Sequence, residues 1–355
     1  MVHRALLTGG GTGGHVYPAL AIGQRLLERG WEVSFLGRPD GLEARVFGAH
    51  SYDFHGLSSQ AVLGRGLMQR AGALATLAKS SVQARALLGR LASEIVVATG
   101  SYVSVPAAVA ARSRGLPVLL VEPNARAGMA NRWLSRVATI AATSHERTSK
   151  DLRCECQVTG VPVRQRFFDI GSPGLHPGTW RILVLGGSQG ALVLNLILPG
   201  ALKAIAVDVG GAFEVLHQAG YGKAEVAEEA YREHGVKAEI VEFLEDVPAA
   251  MAQADLILSR AGAITLAEIC AAGRPSLLFP LPGVAQHQLQ NARQMRDAGA
   301  AEIVEDPVVG AVASSLREIL DRDRLAGMAK AAGSLARPRA VDDIADLVET
   351  LSEAT

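Results

Sequence analysis

Cysteines and aromatic residues are scarce in this chain of 355 residues. Only three cysteines occur, and Phe, Trp and Tyr together make up 5% of the sequence. An odd and sparse set of cysteines argues against a disulfide framework and is typical of a reducing compartment. Two of them form the pair Cys154-x-Cys156, but no second pair of ligands accompanies it, so we predict no metal site there.

Long apolar runs and net charge are also missing. No apolar stretch reaches the ~18 residues that a transmembrane helix needs, so we expect any membrane contact to be peripheral. The apolar start is short and leads directly into glycines, so we expect no secretory signal peptide. Basic and acidic residues number 35 each, which gives no case for nucleic-acid binding. The length suggests about two domains.

Two glycine-rich turns, one in each half of the chain, follow short apolar strands. Strand Ala5–Thr8 precedes the turn Gly9–His15, and strand Ile182–Leu185 precedes the turn Gly186–Gly190; a helical pattern follows each turn. A strand, a turn without side chains and a helix N-terminus together form an anion site. We therefore expect two similar α/β domains that face each other across a cleft, where a nucleotide-bearing donor meets a second substrate.

Strands and helices alternate along both halves, which predicts parallel sheets covered on both faces. We expect domains at residues 1–165 and 166–340, joined by a Gly- and Pro-rich linker at Phe167–Thr179, and a final helix at 341–355 whose packing the sequence leaves open. The strands that we predict are Ala5–Thr8, Glu32–Leu36, Ile95–Thr99, Val118–Glu122, Thr139–Ala142, Gln157–Thr159, Arg181–Leu185, Phe213–His217, Ala238–Val241, Leu256–Ser259, Ser276–Phe279 and Ala301–Val304.

The first glycine turn formally matches a dinucleotide fingerprint, Gly9-x-Gly11-x-x-Gly14. The second strand, however, is followed by Arg38 where that fingerprint has an acid for the ribose. Because Arg38 can instead bind the 2′-phosphate of NADP, an NADP-dependent enzyme stays an alternative. His15, at the helix start, is expected to have a lowered pKa, and its neutral imidazole can accept a proton from an acceptor hydroxyl. The alternative is a histidine that only caps or packs the helix.

A second group of polar residues follows the strands of the other half. Small residues at 261–263 let phosphate oxygens reach backbone N–H groups, and Glu268 suits a ribose diol. Arg164 can neutralise a leaving diphosphate. Gln288, with its neighbours His287 and Asn291, suits sugar hydroxyls. Each candidate has a structural alternative, in which Glu268 only stabilises the helix dipole, Arg164 is only a solvated side chain, and Gln288 with its neighbours is only an exposed polar helix start. No Asp-x-Asp pair lies in a suitable loop, so we expect no metal and no cofactor.

The segment from Gly9 to Ala21 resembles the start of the MurG family of N-acetylglucosaminyltransferases. The resemblance continues in order along nearly the whole chain. Its further motifs are Gly100–Ser104, Asn124 to Asn131, Pro162–Arg164, Gly186–Ala191 and Arg260 to Glu268.

This resemblance implies a GT-B fold of two Rossmann-like domains, the N-terminal one binding the acceptor and the C-terminal one the UDP-sugar. It also implies an inverting transfer from UDP-GlcNAc to lipid I, the undecaprenyl-diphosphate-linked muramyl pentapeptide, which gives lipid II and UDP in peptidoglycan synthesis. The expected place is the cytoplasmic face of the cell membrane, bound peripherally to an anionic surface, with other cell-wall synthesis proteins as candidate partners.

The position of His15 at the helix start and the charge of Arg164 make these two residues our catalytic candidates. By the same resemblance, two sets of positions match those that bind substrate. The acceptor set is Thr12, Gly13, Gly14 and Asn124; the donor set is Arg164, Ser188, Leu244, Ala263, Ile264, Thr265, Leu266, Ala267, Glu268 and Gln288. Further candidates are Tyr102, Ser104, Gln189, His287 and Asn291.

The sequence departs from the family pattern at Ser101, Val105, Pro123, Val161 and Ala285. We expect these changes to affect sugar and acceptor contacts more than phosphate and uridine contacts. A GT-B transferase with another lipid or a soluble acceptor, and a non-catalytic nucleotide-binding relative, therefore stay as alternatives.

The stretch Leu63–Leu91 mixes apolar and basic residues, which predicts contact with anionic lipid headgroups; the alternative is an ordinary amphipathic surface helix. Its apolar members are Leu67, Met68, Leu74, Leu77, Leu87 and Leu88, and its basic members are Arg65, Arg70, Lys79, Arg85 and Arg90.

Overall fold

A computed structural model describes residues 2–57, 67–171, 178–187, 189–210, 212–281 and 286–354 of the chain. The chain forms two compact units. The first, called here the N-terminal unit, contains Met1–Arg164 together with Arg339–Thr355, and the second, the C-terminal unit, contains Gln165–Pro338. Each unit is built on one parallel sheet.

The sheet of the N-terminal unit has the strand order β3-β2-β1-β4-β5-β6-β7, and every neighbouring pair is parallel. The strands are β1 Arg4–Thr8, β2 Glu32–Gly37, β3 Asp53–Gly56, β4 Ile95–Ala98, β5 Val118–Glu122, β6 Ile140–Thr143 and β7 Glu155–Val158. The helices are α1 Gly13–Glu28, α2 Leu42–Ala49, α3 Leu67–Arg90, α4 Val105–Ser113 and α5 Met129–Leu134.

Successive strand residues point to opposite faces of this sheet, and both faces are buried. Leu7 and Phe35 pack with α1 in one core cluster, whereas Leu6 and Val96 pack with α3 and α4 in another. This arrangement explains why the central strands are continuously apolar rather than alternating.

The sheet of the C-terminal unit has the order β10-β9-β8-β11-β12-β13, again parallel throughout. Its strands are β8 Thr179–Leu185, β9 Ala212–Gln218, β10 Ala238–Val241, β11 Leu256–Ser259, β12 Ser276–Leu278 and β13 Ala301–Ile303. Its helices are α6 Leu192–Ile205, α7 Ala224–His234, α8 Val247–Gln253, α9 Ala263–Ala271, α10 Gln286–Asp297, α11 Val309–Ile319 and α12 Arg322–Ser334.

The last helix, α13 Ala340–Glu353, packs in the N-terminal unit, where it contacts α1 and β4. Its buried residues join the core cluster of Leu7. The guanidinium of Arg29, the C-cap residue of α1, lies 2.9 Å from Asp342, 2.7 Å from Asp346 and 3.0 Å from Glu349. Apolar burial and an ionic network thus fix the packing that the sequence left open.

The predicted α/β architecture with parallel sheets is confirmed, and most strand limits agree within one or two residues. The strand β3 was not predicted, because it is a short edge strand of mostly polar and only partly buried residues. Within the predicted linker, residues 172–177 lie outside the described residues, whereas Thr179 already belongs to β8.

The predicted lipid-facing stretch is wrong at its C-terminal end. Leu87 and Leu88 of α3 are 7% and 0% exposed and pack in the core beside Leu6 and Val96, so neither contacts lipid. Residues 58–66, including Leu63 and Arg65, and the side chains of Leu67, Met68, Arg70 and Leu74 lie outside the described residues. No helix among the described residues is long and apolar enough to cross a membrane.

Candidate active site

The first glycine turn connects β1 to α1 and places His15 at the third position of the helix. Nδ1 of His15 lies 2.8 Å from the carbonyl oxygen of Thr99, and the Thr99 hydroxyl donates to the carbonyl of His15 at 2.7 Å. Because a carbonyl only accepts, the ring proton of neutral His15 lies on Nδ1. The Nε2 lone pair is therefore the one that can accept a proton.

Burial lowers the pKa of His15, and the hydrogen bond to Thr99 and the charge of Glu43 oppose that shift without reversing it. The imidazole is therefore predominantly neutral near pH 7. A neutral imidazole with a fixed tautomer meets the chemical requirement for a general base.

A fully buried carboxylate, Glu43 of α2, lies behind the same turn. It accepts the backbone N–H of Gly11 at 3.0 Å and that of Arg38 at 2.9 Å. A Cβ atom at Gly10 would lie 2.2 Å from Oε1 of Glu43, so a side chain there would displace the carboxylate. The N–H of Gly11 is thus already used, and Arg38 is paired with Asp40 at 2.7 Å. The first contact disfavours a dinucleotide diphosphate at this turn, and the second disfavours a 2′-phosphate on Arg38.

The other acceptor candidates of this turn lie at the beginning of α1. Gly13 is buried, whereas Thr12 and Gly14 are half-buried. Thr12 is the N-cap residue of α1, and its side chain makes no capping hydrogen bond to the helix.

The loop after β4 closes against His15. Gly100 has φ +106, and a Cβ atom there would lie 2.8 Å from Nδ1 of His15 and 2.8 Å from Oδ1 of Asn131. The Ser104 hydroxyl is buried and donates to the carbonyls of Gly100 and Thr8, at 2.6 and 2.9 Å. Ser104 therefore joins backbone segments, while Tyr102, in the short 3-10 turn before it, is half-buried.

A buried carboxylate, Glu122, fixes the position of Asn124. Oε1 of Glu122 accepts both the backbone N–H and the Nδ2 of Asn124 at 2.9 Å, and Oε2 accepts Nδ2 of Asn131 at 3.0 Å and the N–H of Gly128 at 2.9 Å. Burial raises the pKa of Glu122, although these hydrogen bonds oppose the shift. The carboxylate therefore orients the side chain of an acceptor candidate.

The guanidinium of Arg164 lies over the ring of Tyr17, with its carbon 4.9 Å from the ring centroid. Tyr17 belongs to α1, two residues beyond His15. The aromatic face thus holds the cationic head near the helix that carries His15.

In the C-terminal unit, the second glycine turn connects β8 to α6. Gly190 has φ +69, and a Cβ atom there would lie 2.1 Å from the carbonyl oxygen of Ala219, so the turn packs backbone against backbone. Gln189 is exposed, and Ser188 lies outside the described residues.

The helix α9 begins directly after β11 and a small-residue loop. Within it, Ile264, Leu266 and Glu268 are buried, whereas Ala263, Thr265 and Ala267 are half-buried. The side chains of Ile264 and Leu266 pack in the core, so these two residues offer only backbone groups. Glu268 is 8% exposed and lies in the second turn of the helix, beyond the first-turn position that would stabilise the dipole.

The helix α10 is brought to the start of α9 by Asn291, whose Nδ2 donates to the carbonyl of Ala261 at 3.4 Å. Oε1 of Gln288 accepts the backbone N–H of Leu281 at 3.0 Å. Burial lowers the pKa of His287, which is half-buried beside it. Residues 282–285, including Ala285, lie outside the described residues.

Leu244 lies in the loop after β10, apart from α9 and α10 along the chain. It is half-buried and lines a cavity of about 530 Å³ on one face of the C-terminal sheet, with Leu183, Leu216 and Ala250 among the other lining residues. Because its side chain is apolar, Leu244 is suited to contact a flat ligand or to pack, and it is not suited to bind phosphate.

Metal ligands do not converge in the described parts of either unit. No group of three or more His, Cys, Asp or Glu side chains there is arranged to hold an ion. Cys154 and Cys156 are free thiols, and burial raises the pKa of Cys154 to about 11, which disfavours the thiolate that binds metals.

The structure thus assembles two groups of predicted residues, one in each unit. His15, Asn124 and Arg164 belong to the N-terminal unit, and the residues of α9 and α10 belong to the C-terminal unit. Sequence reasoning missed Glu43 and Glu122. Glu122 had a signal, since it is the only charged residue of the otherwise apolar strand Val118–Glu122.

Comparison with known proteins follows this division into two units. The model of the glycosyltransferase family 28 N-terminal domain matches residues 5–143, and that of the family 28 C-terminal domain matches residues 181–347.

Two curated relatives match almost end to end. A UDP-N-acetylglucosamine–N-acetylmuramyl-(pentapeptide) pyrophosphoryl-undecaprenol N-acetylglucosamine transferase of Halorhodospira halophila is 42% identical and covers 99% of both chains. The protein of that name from Pseudomonas putida is 39% identical over 96% of each chain. The solved structure of MurG from Acinetobacter baumannii has a TM-score of 0.76 at 31% identity, covering 98% of this chain and 99% of that chain. The predicted GT-B fold, with two Rossmann-like parallel-sheet domains, is confirmed.

Proposed function

This chain belongs to the MurG family of N-acetylglucosaminyltransferases, and from that premise we propose that it transfers GlcNAc from UDP-GlcNAc to the 4-hydroxyl of the muramyl sugar of lipid I. The products are lipid II and UDP. The observation that carries the proposal is the end-to-end identity of 42% with a relative of that name, in a chain whose His15 has the protonation state the reaction needs.

The N-terminal unit binds the acceptor in this proposal. The muramyl hydroxyl approaches Nε2 of His15, which accepts its proton while the oxygen bonds to the anomeric carbon of GlcNAc. The side chain of Asn124, oriented by Glu122, and the turn at Thr12, Gly13 and Gly14 bind the acceptor near its sugar and diphosphate. Tyr102 is a further acceptor candidate.

The C-terminal unit binds UDP-GlcNAc. The carboxylate of Glu268 accepts hydrogen bonds from the ribose diol, and the backbone N–H groups of Ala263, Ile264 and Thr265 receive the diphosphate at the start of α9. The N–H of Leu266 already donates to the carbonyl of Gly262 at 3.0 Å, so Leu266 and Ala267, further along the helix, support the site without donating to the diphosphate. Ser188 and Gln189 of the glycine turn bind the diphosphate too. Leu244 contacts the uracil, and Gln288, with His287 and Asn291, binds sugar hydroxyls.

Bond breaking releases UDP from the anomeric carbon, so negative charge grows on the diphosphate. Arg164 neutralises part of that charge, and backbone N–H groups of the C-terminal unit take the rest, so the transfer uses no metal. Attack from the face opposite the leaving group inverts the anomeric centre and gives a β-linkage.

Lipid I is anchored in a bilayer, so the enzyme acts as a peripheral protein at the cytoplasmic membrane surface. We assign the contact with an anionic surface to the remaining basic residues of the predicted stretch, Arg65, Arg70 and Lys79, since Leu87 and Leu88 belong to the core. Flotation with anionic and with neutral vesicles tests this assignment, and equal recovery with both contradicts it.

The experiment that tests the function measures transfer of labelled GlcNAc from UDP-GlcNAc to a lipid I analogue in the presence of EDTA. We expect lipid II product at an undiminished rate. Product formed only on another acceptor would identify a different transferase. Pro123 and Ser101 would then be the first residues to replace by those of the family pattern. UDP-GlcNAc binding without any transfer would identify a non-catalytic relative.

A further inference from the structure

The glycine turn of the C-terminal unit is held on one side by the segment Gln218–Lys223, which is the last residue of β9 and the five residues after it. Two carbonyl oxygens of the turn accept side-chain donors from that segment. Nε2 of Gln218 donates to the carbonyl of Gly187 at 3.1 Å, and Nζ of Lys223 donates to the carbonyl of Gln189 at 2.6 Å. Neither Gln218 nor Lys223 belongs to a motif that the function has used so far.

The backbones of the turn and of this segment also touch. The N–H of Gly186 donates to the carbonyl of Gln218 at 3.3 Å. A Cβ atom at Gly220 would lie 2.5 Å from the Cα atom of Gly190. Such close approach leaves no room for a side chain at Gly220, so the two backbones pack directly against each other.

A buried network of polar side chains holds this segment through hydrogen bonds. Nδ2 of Asn195 donates to the carbonyl of Ala219 at 3.2 Å, and Oδ1 of Asn195 lies 3.0 Å from Nε2 of His217. Because that oxygen only accepts, His217 carries its proton on Nε2, and Nδ1 accepts the hydroxyl of Tyr231 at 3.0 Å. The segment is therefore rigid before any ligand arrives.

The two side chains differ in what they contribute to the turn. Gln218 is 6% exposed, so water cannot readily replace its hydrogen bond to Gly187. Lys223 is partly exposed and brings a cationic head within 2.6 Å of a turn carbonyl. A rigid backbone turn with a cation beside it suits a diphosphate and adds nothing for a neutral nucleoside.

We propose that Gln218 and Lys223 are positioning residues for the donor diphosphate: they hold the backbone of Gly187 and Gln189 in the glycine turn that receives it, and Lys223 adds positive charge. This inference rests on the proposed function, because it takes that turn as the donor diphosphate site. Its consequence is specific. The two residues strengthen the binding of UDP but not of uridine.

The test compares the dissociation constants of UDP and uridine for the full chain by isothermal titration calorimetry, with uridine measured in competition with UDP. For Gln218→Met and for Lys223→Met we expect UDP binding to weaken roughly five- to tenfold and uridine binding to stay within about twofold. Lys223→Arg keeps a cationic donor and is expected to retain UDP affinity. Lys330→Met removes an exposed lysine of α12 in the same unit and serves as the charge control.

Three results are distinguishable. If the unaltered protein binds UDP no more tightly than uridine, the turn is not a diphosphate site and the proposed function fails at this point. If UDP is preferred but both variants keep the same preference, the positioning role is wrong. Equal weakening of UDP and uridine would indicate general damage and would also overturn it. Lys223→Met carries the test if Gln218→Met does not fold, because Lys223 is not part of the core.

Discussion

His15 and Thr99 hold each other through two hydrogen bonds, one from the imidazole to the Thr99 carbonyl at 2.8 Å and one from the Thr99 hydroxyl to the His15 carbonyl at 2.7 Å. The first bond sets the tautomer of the ring. The second fixes the first turn of α1, from which the ring projects. A residue of the loop after β4 thereby determines both the orientation and the protonation of the candidate base.

Replacing Thr99 by valine removes the hydroxyl but keeps the shape of the side chain and the carbonyl. We expect kcat to fall about fivefold, since a lost hydrogen bond of this kind is worth roughly 1 kcal/mol and the base loses its fixed position. The KM for UDP-GlcNAc should stay the same. Thr99→Ser restores the hydroxyl and should restore most of kcat; if the serine variant is as slow as the valine variant, the hydroxyl is not what matters.

The pH dependence of kcat/KM should show an acidic limb below pH 6.5, because burial lowers the pKa of His15. Glu43 acts in the opposite direction, since its negative charge stabilises the imidazolium. Glu43→Gln should therefore lower that pKa further and move the acidic limb to lower pH. Asp40→Asn, which removes an exposed carboxylate from the neighbouring loop, is the matched control. A limb that moves upward in Glu43→Gln contradicts this electrostatic account.

The stability of the C-terminal unit should fall in acid because of His217. Burial lowers the pKa of this side chain to about 4, whereas a histidine in the unfolded chain has a pKa of about 6.5. Between these values the unfolded state binds more protons, so the free energy of unfolding falls as the pH drops from about 6.5 to about 4, by roughly 3 kcal/mol at most.

Urea unfolding at several pH values tests this expectation, with Trp180 as the probe in a background of Trp31→Phe and Trp133→Phe. His217→Gln cannot take up a proton and should flatten the profile over that interval. An unchanged slope in the variant would assign the acid sensitivity to other groups.

Arg274 is buried, and its guanidinium donates to four carbonyls, those of Met251, Ala252, Ala272 and Gly171, at 2.7 to 3.1 Å. Arg274→Met leaves these acceptors without their donor and should destabilise the C-terminal unit by about 3 kcal/mol. The exposed Arg296→Met is the control and should change the unfolding free energy by less than about 0.5 kcal/mol. A similarly small loss for Arg274→Met would show that water replaces the guanidinium.

The sequence predicted those features that depend on local patterns. Strands such as Val118–Glu122 and Leu256–Ser259 are short apolar runs that are buried on both faces, and their limits were predicted without error. Sequence patterns did not predict β3, because an edge strand of mostly polar residues lacks the apolar run by which the other strands were recognised. They also misplaced Leu87 and Leu88, because a basic amphipathic helix looks the same whether its apolar face meets a core or a lipid surface.

The positions of candidate residues were predictable where a helix follows directly after a strand, as for His15 in α1 and Glu268 in α9, and their roles stay predictions. A contact was not predictable where it depends on the packing of distant segments. Glu43 lies 32 residues from the glycine whose N–H it accepts, and Gln218 lies 31 residues from its partner Gly187. Such pairs are fixed by the strand order of the sheet rather than by any spacing in the sequence.

The most direct test of the account is the role of His15, measured as single-turnover transfer to a lipid I analogue together with the dissociation constant of UDP-GlcNAc. For His15→Ala we predict a transfer rate at least about a hundredfold lower, as expected for loss of a general base, with donor affinity unchanged. His50→Ala, an exposed histidine of the same unit, should behave as the unaltered protein. Transfer by His15→Ala at the unaltered rate would contradict the account.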